Sequence, residues 1–147
     1  MKVMIVEDQT MIRSLLESYF RAEDGHQIVA SISGAKQAVE VCRTTQVDLI
    51  LMDVQTEHRE NGLTAVRQIK AMHPEIVIVV VTSLIDGAVL EEAKAAGADS
   101  LWYKDSEKNR LMEVVRQTMA GKHIFPDAPP TVEVGMAKST EFTKTEL

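Results

Sequence analysis

The chain has 147 residues, 45% of them hydrophobic and 26% charged, with a formal net charge of −6. Such a length and balance suit one globular domain with its own core and leave room for a short extension, and they exclude disordered, fibrous and membrane-embedded classes. The acidic balance lacks the electrostatic footprint of a nucleic-acid binder, and a single cysteine, Cys42, excludes an internal disulfide or a cysteine-built zinc site.

Five short apolar runs rich in β-branched residues alternate with segments of helical period, which predicts a repeated βα pattern. The first run, "KVMIV", opens a start, "MKVMIVED", that meets acids too early to be a signal peptide. No apolar stretch approaches the roughly 20 residues that cross a bilayer, so a cytoplasmic location without a membrane partner is expected. The first helix carries Met11, Ile12, Leu15, Leu16, Tyr19 and Phe20 as one stripe and stops near Gly25. After "QIVASI", the second helix carries Ala35, Ala38, Val39 and Cys42, the last read as a small apolar residue. "DLILM" leads to a third helix from Gly62 with Leu63, Val66, Ile69 and Met72, which His73-Pro74 disfavours continuing. "IVIVVV" precedes a fourth, capped by Asp86, burying Val89, Leu90 and Ala93 and ending at Gly97. "SLWY" precedes a fifth that starts after Ser106 and turns Leu111, Val114, Val115 and Met119 inward. The third and fourth strands are nearly unbroken in apolar character and need cover on both faces, so a parallel sheet between helix layers follows. From Lys122 the period is lost and a proline cluster resists regular structure, as in a linker or tail.

Open α/β sheets bind ligands outside the carboxyl ends of their strands. Strand one ends on Glu7 and Asp8, strand three on Asp53, strand four on Thr82 and Ser83, and strand five on Lys104 and Asp105. An acidic pair between strand and helix can simply cap the helix. If strands one and three are neighbours, however, three carboxylates meet and repel, and either raised pKa values with shared protons or a bound cation relieves them. Oxygen donors without His or Cys favour a hard ion, and Mg²⁺ fits best. Lys104 and the Thr82 hydroxyl suit a phosphoryl group, and Asp53 is the candidate nucleophile for an aspartyl phosphate.

Taken together, Glu7-Asp8, Asp53, Thr82 and Lys104, with the segment "AAGADSLWYKD", resemble the receiver domains of two-component response regulators from Met1 to about Gly121. The resemblance implies a flavodoxin-like (βα)5 sandwich with strand order 2-1-3-4-5. It also implies phosphoryl transfer from a sensor histidine kinase, or a small acyl phosphate, to Asp53. Mg²⁺ would be held by Asp8, Asp53 and the backbone carbonyl of Gln55, with Glu7 acting through water, while Lys104 and Thr82 contact the phosphoryl oxygens. The outcome is a switch, not a turnover enzyme, in which phosphorylation changes homodimerisation. Asp105 after the lysine is similar to the LuxR/NarL-type subclass, and "EFTKTEL" looks like the opening of its helix-turn-helix output domain. On this reading residues 1–121 are the receiver and 122–147 a linker and the start of a DNA-binding domain cut away, through which alone DNA would be bound.

Three departures from the family pattern stand out. The loop "VQTEHRENG" lacks Met and Pro and is one residue longer; Leu101 takes the place of a reporter aromatic; and Gln55 and Leu84 occupy positions that tune dephosphorylation. Among rivals, a haloacid-dehalogenase-like phosphatase needs a second Asp where Gln55 stands, and a flavodoxin-like FMN carrier would meet repulsion at "EDQTM". A degenerate receiver that acts only in docking or dimerisation keeps the same fold. His58 and His73 are expected at the surface.

Overall fold

The computed structural model describes residues 1–84, 86–104 and 108–126. Its elements run β1 (Lys2–Val6), α1 (Thr10–Arg21), β2 (Gln27–Ile32), α2 (Ala35–Thr44), β3 (Leu49–Asp53), α3 (Gly62–Met72), β4 (Val77–Thr82), α4 (Gly87–Ala96), β5 (Ser100–Tyr103) and α5 (Lys108–Met119). A 3-10 turn at Glu57–Arg59 interrupts the β3–α3 connection. The strands form one parallel sheet in the order 2-1-3-4-5, as the receiver resemblance implies.

Alternation along the strands divides the core in two. Met4, Val6, Ile50, Met52 and Val80 face α2, α3 and α4, whereas Val3, Ile5, Leu51 and Val81 face Leu16 and Phe20 of α1 and Leu111 and Val115 of α5. Every residue of β3 is buried, and so is all of β4 after Val77, which accounts for their unbroken apolar sequence. Cys42 is buried, and burial pushes its thiol up to about 11, so it packs as an unreactive apolar group.

Local chemistry sets the boundaries. Asn61 caps α3 by accepting from the Leu63 and Thr64 amides, and Asp86 caps α4 by accepting from Ala88 N at 2.8 Å. Gly97 closes α4 at φ 99°, in the left-handed region where a side chain is disfavoured. β3 and β4 run one residue beyond their apolar stretches, because Asp53 still pairs with Val81 and Thr82 with Tyr103.

Two helical stripes are narrower than their sequence period suggests. Ile12, Leu16, Tyr19 and Phe20 pack against the sheet, but Met11 is 86% exposed and Leu15 is 49% exposed. These two lie about 100° around the helix from Ile12 and Leu16, past the edge of the contact. α1 also ends on Arg21, capped by Ala22, before Gly25. On α5, Met119 is exposed and Met112, absent from the expected stripe, is buried. The start of α5 after Ser106, and the tail from 127 with "EFTKTEL", lie outside the described residues.

Residues 122–126 form part of the packing. Gly121, at φ 100°, turns the chain back past α5, where Lys122 N donates to Gln117 O. The Leu101 amide on the outer edge of β5 then donates to Ile124 O at 3.0 Å, and Ile124 N donates to Ser100 Oγ at 2.9 Å. Phe125 packs on the α2–α4 side of the core with the Lys94 ammonium 5.4 Å from its ring centre. This strap satisfies an edge that would otherwise expose unpaired backbone groups. Phe125→Ala should lower stability by about 1 kcal/mol and accelerate hydrogen exchange of the Leu101 amide at least about tenfold, measured by exchange NMR.

Candidate functional site

The sheet register assembles the site. Val6 of β1 is level with Met52 of β3, so Glu7 and Asp53 emerge side by side, and Lys104 follows Tyr103, the partner of Thr82. Because four neighbouring strands, β1, β3, β4 and β5, end together, residues far apart in sequence share one edge.

At its centre the Lys104 ammonium lies 2.7 Å from Glu7 Oε1 and 3.2 Å from Asp53 Oδ2. Glu7 is fully buried and Asp53 is 7% exposed, whereas Asp8 is open to solvent. Glu7 Oε2 accepts from Gln9 N at 3.1 Å. Its other oxygen, Oε1, meets the Lys104 ammonium as an ion pair. The acidic pair does not cap α1, whose N-cap is Gln9 with no side-chain cap. Carboxylate oxygens of Glu7, Asp8 and Asp53 lie within 4.8 Å of one another.

Burial and the neighbouring Glu7 charge push Asp53 up to about 7, with Lys104 only partly opposing them. Desolvation acts to lower the Lys104 pKa, but its contacts with Glu7 and Asp53 prevail and hold it above the usual range. The ammonium therefore stays charged, but it can neutralise only one of the three carboxylates in the cluster. That surplus and the all-oxygen donors suit a hard divalent cation.

Beside the cluster opens a cavity of about 410 Å³ lined by Asp8, Asp53, Gln55, Thr82, Leu84 and Lys104, among others. The buried Thr82 hydroxyl accepts from Leu84 N at 3.0 Å, and Thr82 O accepts from Lys104 N at 2.9 Å. Every proposed site residue thus lies at this edge, with Glu7 beneath the cavity floor. Leu101 is buried toward α2–α4 and Trp102 points to the opposite face, as alternation anticipates.

Sequence reasoning missed how the long β3–α3 loop is held. Buried Thr56 accepts from Ala35 N at 2.9 Å, and Gln55 bridges Asn61. Gly62 N donates to Val54 O at 2.6 Å, and a Cβ on Gly62 would lie 1.8 Å from the Asp53 carbonyl oxygen. Only glycine permits the loop to close so tightly behind Asp53. The loop also brings His58 and Arg59 to the cavity wall, both at φ 60°. Asn61 followed by an apolar helical run was the available cap signal; no comparable signal marked Arg59.

Residues 3–116 match the response regulator receiver domain family. Response regulator protein VraR of Staphylococcus aureus (strain Mu3 / ATCC 700698) is 32% identical over 124 residues, covering 84% of this chain and 59% of that protein. The chain therefore spans about three-fifths of the length of these curated relatives. A two-component response regulator of the LuxR family from Aurantimonas sp. SI85-9A1 has a TM-score of 0.78 at 24% identity, covering 84% of this chain and 87% of that one. The isolated REC domain of RcsB from Salmonella enterica serovar Typhimurium, solved with phosphomimetic BeF3−, has a TM-score of 0.77 at 16% identity, covering 86% and 94%. These structures share the fold.

Asp53 makes the cation-free domain sensitive to pH. Because folding raises its pKa from the ordinary 3.8 to about 7, both states are protonated below about pH 4 and the fold carries no penalty. Between about pH 4 and 7 the folded state binds more protons, so stability falls as pH rises. In EDTA, Asp53→Asn should raise the unfolding midpoint on the order of 5 °C at pH 8 and change it little at pH 4, by calorimetry.

Proposed function

The chain belongs to the response regulator receiver family, and we propose that it is a phosphoryl-accepting switch with Asp53 as the acceptor. The observation that carries this reading is the Asp53 carboxylate beside a charged lysine, within an acidic cluster facing an open cavity.

In the proposed transfer, one Asp53 oxygen forms a bond to phosphorus as the phosphorus–nitrogen bond of a phosphohistidine breaks. The imidazole leaves with the electron pair; with acetyl phosphate, a phosphorus–oxygen bond breaks and acetate leaves. Lys104, pinned by Glu7, keeps Asp53 in reach and presents positive charge to the phosphoryl oxygens. Asp8, Asp53 and the Gln55 carbonyl would hold Mg²⁺, with Glu7 acting through water; when bound, the ion supplies charge that lets Asp53 ionise and neutralises the incoming group.

Switching would follow from Thr82. Its hydroxyl is held by the Leu84 amide, and contact with a phosphoryl oxygen requires that bond to be released, drawing on the connection to α4. Leu101 cannot answer with a polar aromatic swing. The buried Tyr103 hydroxyl, in register with Thr82 and without a partner among the described residues, is the nearby polar group available to do so. A cytoplasmic receiver of the LuxR/NarL type, with a sensor histidine kinase as donor and a homodimer as the active form, is the setting we propose. Residues 1–121 would be the receiver, followed by a linker to a helix-turn-helix domain that alone contacts DNA. The kinship with VraR and the likeness to RcsB, also solved as dimers bound to DNA, support it. The chain would act stoichiometrically and not as a turnover enzyme.

Intact-mass spectrometry after incubation with Mg²⁺ and acetyl phosphate tests this. One phosphate should appear on the parent, and none on Asp53→Asn or without Mg²⁺. A folded parent that stays unmodified at short and long times would point instead to a phosphorylation-independent docking module.

A further inference from the structure

The groups assigned to the phosphoacceptor site leave a charge unanswered. Lys104 already lies between Glu7 and Asp53, and Asp8 faces the same cavity. A phosphoryl donor brings about two further negative charges near neutral pH, so even with a divalent cation the cavity favours an additional positive group.

The long β3–α3 loop supplies one. Arg59 lines the cavity together with Asp53, Thr82 and Lys104. Its neighbours fix its position: Thr56 N donates to Glu60 O at 2.9 Å and Glu57 N donates to Ser33 O at 3.0 Å. Between these anchors His58 and Arg59 both adopt φ 60°, a left-handed conformation costly for residues with side chains. Such strain persists where surrounding contacts over-determine it.

The acids of the loop are otherwise engaged. Glu57 accepts from the Ser33 hydroxyl and meets His58 Nε2 at 3.4 Å, and Glu60 accepts from Lys36 N at 2.9 Å. Among the described residues, no carboxylate pairs with Arg59, although its guanidinium is permanently charged. It also borders a second cavity between α2 and α3, whose carboxylate, Glu60, is the one bound by Lys36 N.

Building on the phosphoacceptor reading, we propose that Arg59 is a phosphoryl-positioning residue. Its planar, bidentate donors engage the non-reacting oxygens of the donor phosphate and remain on them as the new bond to Asp53 forms. The longer loop then has a chemical purpose: it carries a second cation to the wall of the cavity that Lys104 also lines.

The test compares the parent with Arg59→Ala, Arg59→Lys and Arg59→Gly. Initial phosphorylation is followed by intact mass over a range of acetyl phosphate concentrations, and Mg²⁺ and beryllofluoride binding are measured by calorimetry. Arg59→Ala should lower the phosphorylation rate at low donor about tenfold and weaken beryllofluoride similarly, with Lys partly restoring both. Mg²⁺ should bind no more weakly than to the parent, because a cation near its carboxylates has been removed. Arg59→Gly relaxes the φ 60° backbone, so its unfolding midpoint should not fall while its phosphorylation slows like that of Arg59→Ala. Parental donor dependence and beryllofluoride affinity in Arg59→Ala would overturn the role of Arg59, as would weakened Mg²⁺ binding that accounts for the whole loss. Failure of the parent itself to take phosphate would instead sink the phosphoacceptor reading.

Discussion

A buried ammonium facing two carboxylates organises this molecule. Lys104 cannot lose its charge while Glu7 and Asp53 flank it, and Glu7, fully buried, cannot shed its partner without leaving a bare anion in the core. The register of β1, β3, β4 and β5 brings these groups together at one end of the sheet. The pairing leaves a deficit, since one ammonium does not neutralise Glu7, Asp8 and Asp53 together. The rise of Asp53 to about 7 is the local expression of that deficit, and a bound divalent cation or a proton relieves it.

The scaffold makes this affordable. β3 is buried throughout and β4 nearly so, both gripped from two faces by separate apolar clusters. Their ends are therefore rigid, whereas the connections beyond them are free to specialise. The β4–α4 connection is tied to the site through Thr82 and Leu84, and the β3–α3 connection through Gly62. Lys94 of α4 sits over the Phe125 ring, so α4 touches the strap after α5. The strap after α5 consequently joins the folded sheet to whatever follows in the chain.

Much of this was legible in the sequence because it depends on local patterns. Alternating apolar runs and helical stripes gave the βα repeats, Asp86 satisfied ordinary cap chemistry, and chemical residues at the ends of apolar runs pointed to one edge. Strand order came only with the family resemblance, since hydrophobic pattern does not say which strands are neighbours. Met11 and Leu15 were misread because a stripe two residues wide looks the same whether its margin touches the core or solvent. Arg59 escaped because its position depends on Thr56, Glu57 and Glu60 reaching across to α2 and the turn before it. Those contacts join residues more than 20 positions apart and leave no periodic trace.

The central claim is that Asp53 belongs to a charge-deficient cluster completed by a divalent cation. Calorimetric titration with Mg²⁺ at pH 7, in two buffers of different ionisation enthalpy, counts the protons released on binding. With the Asp53 pKa near 7, about half a proton should leave per ion, the release should fade at pH 8.5 and vanish in Asp53→Asn. Mg²⁺ binding of equal strength and equal proton count in the parent and in Asp53→Asn would contradict it.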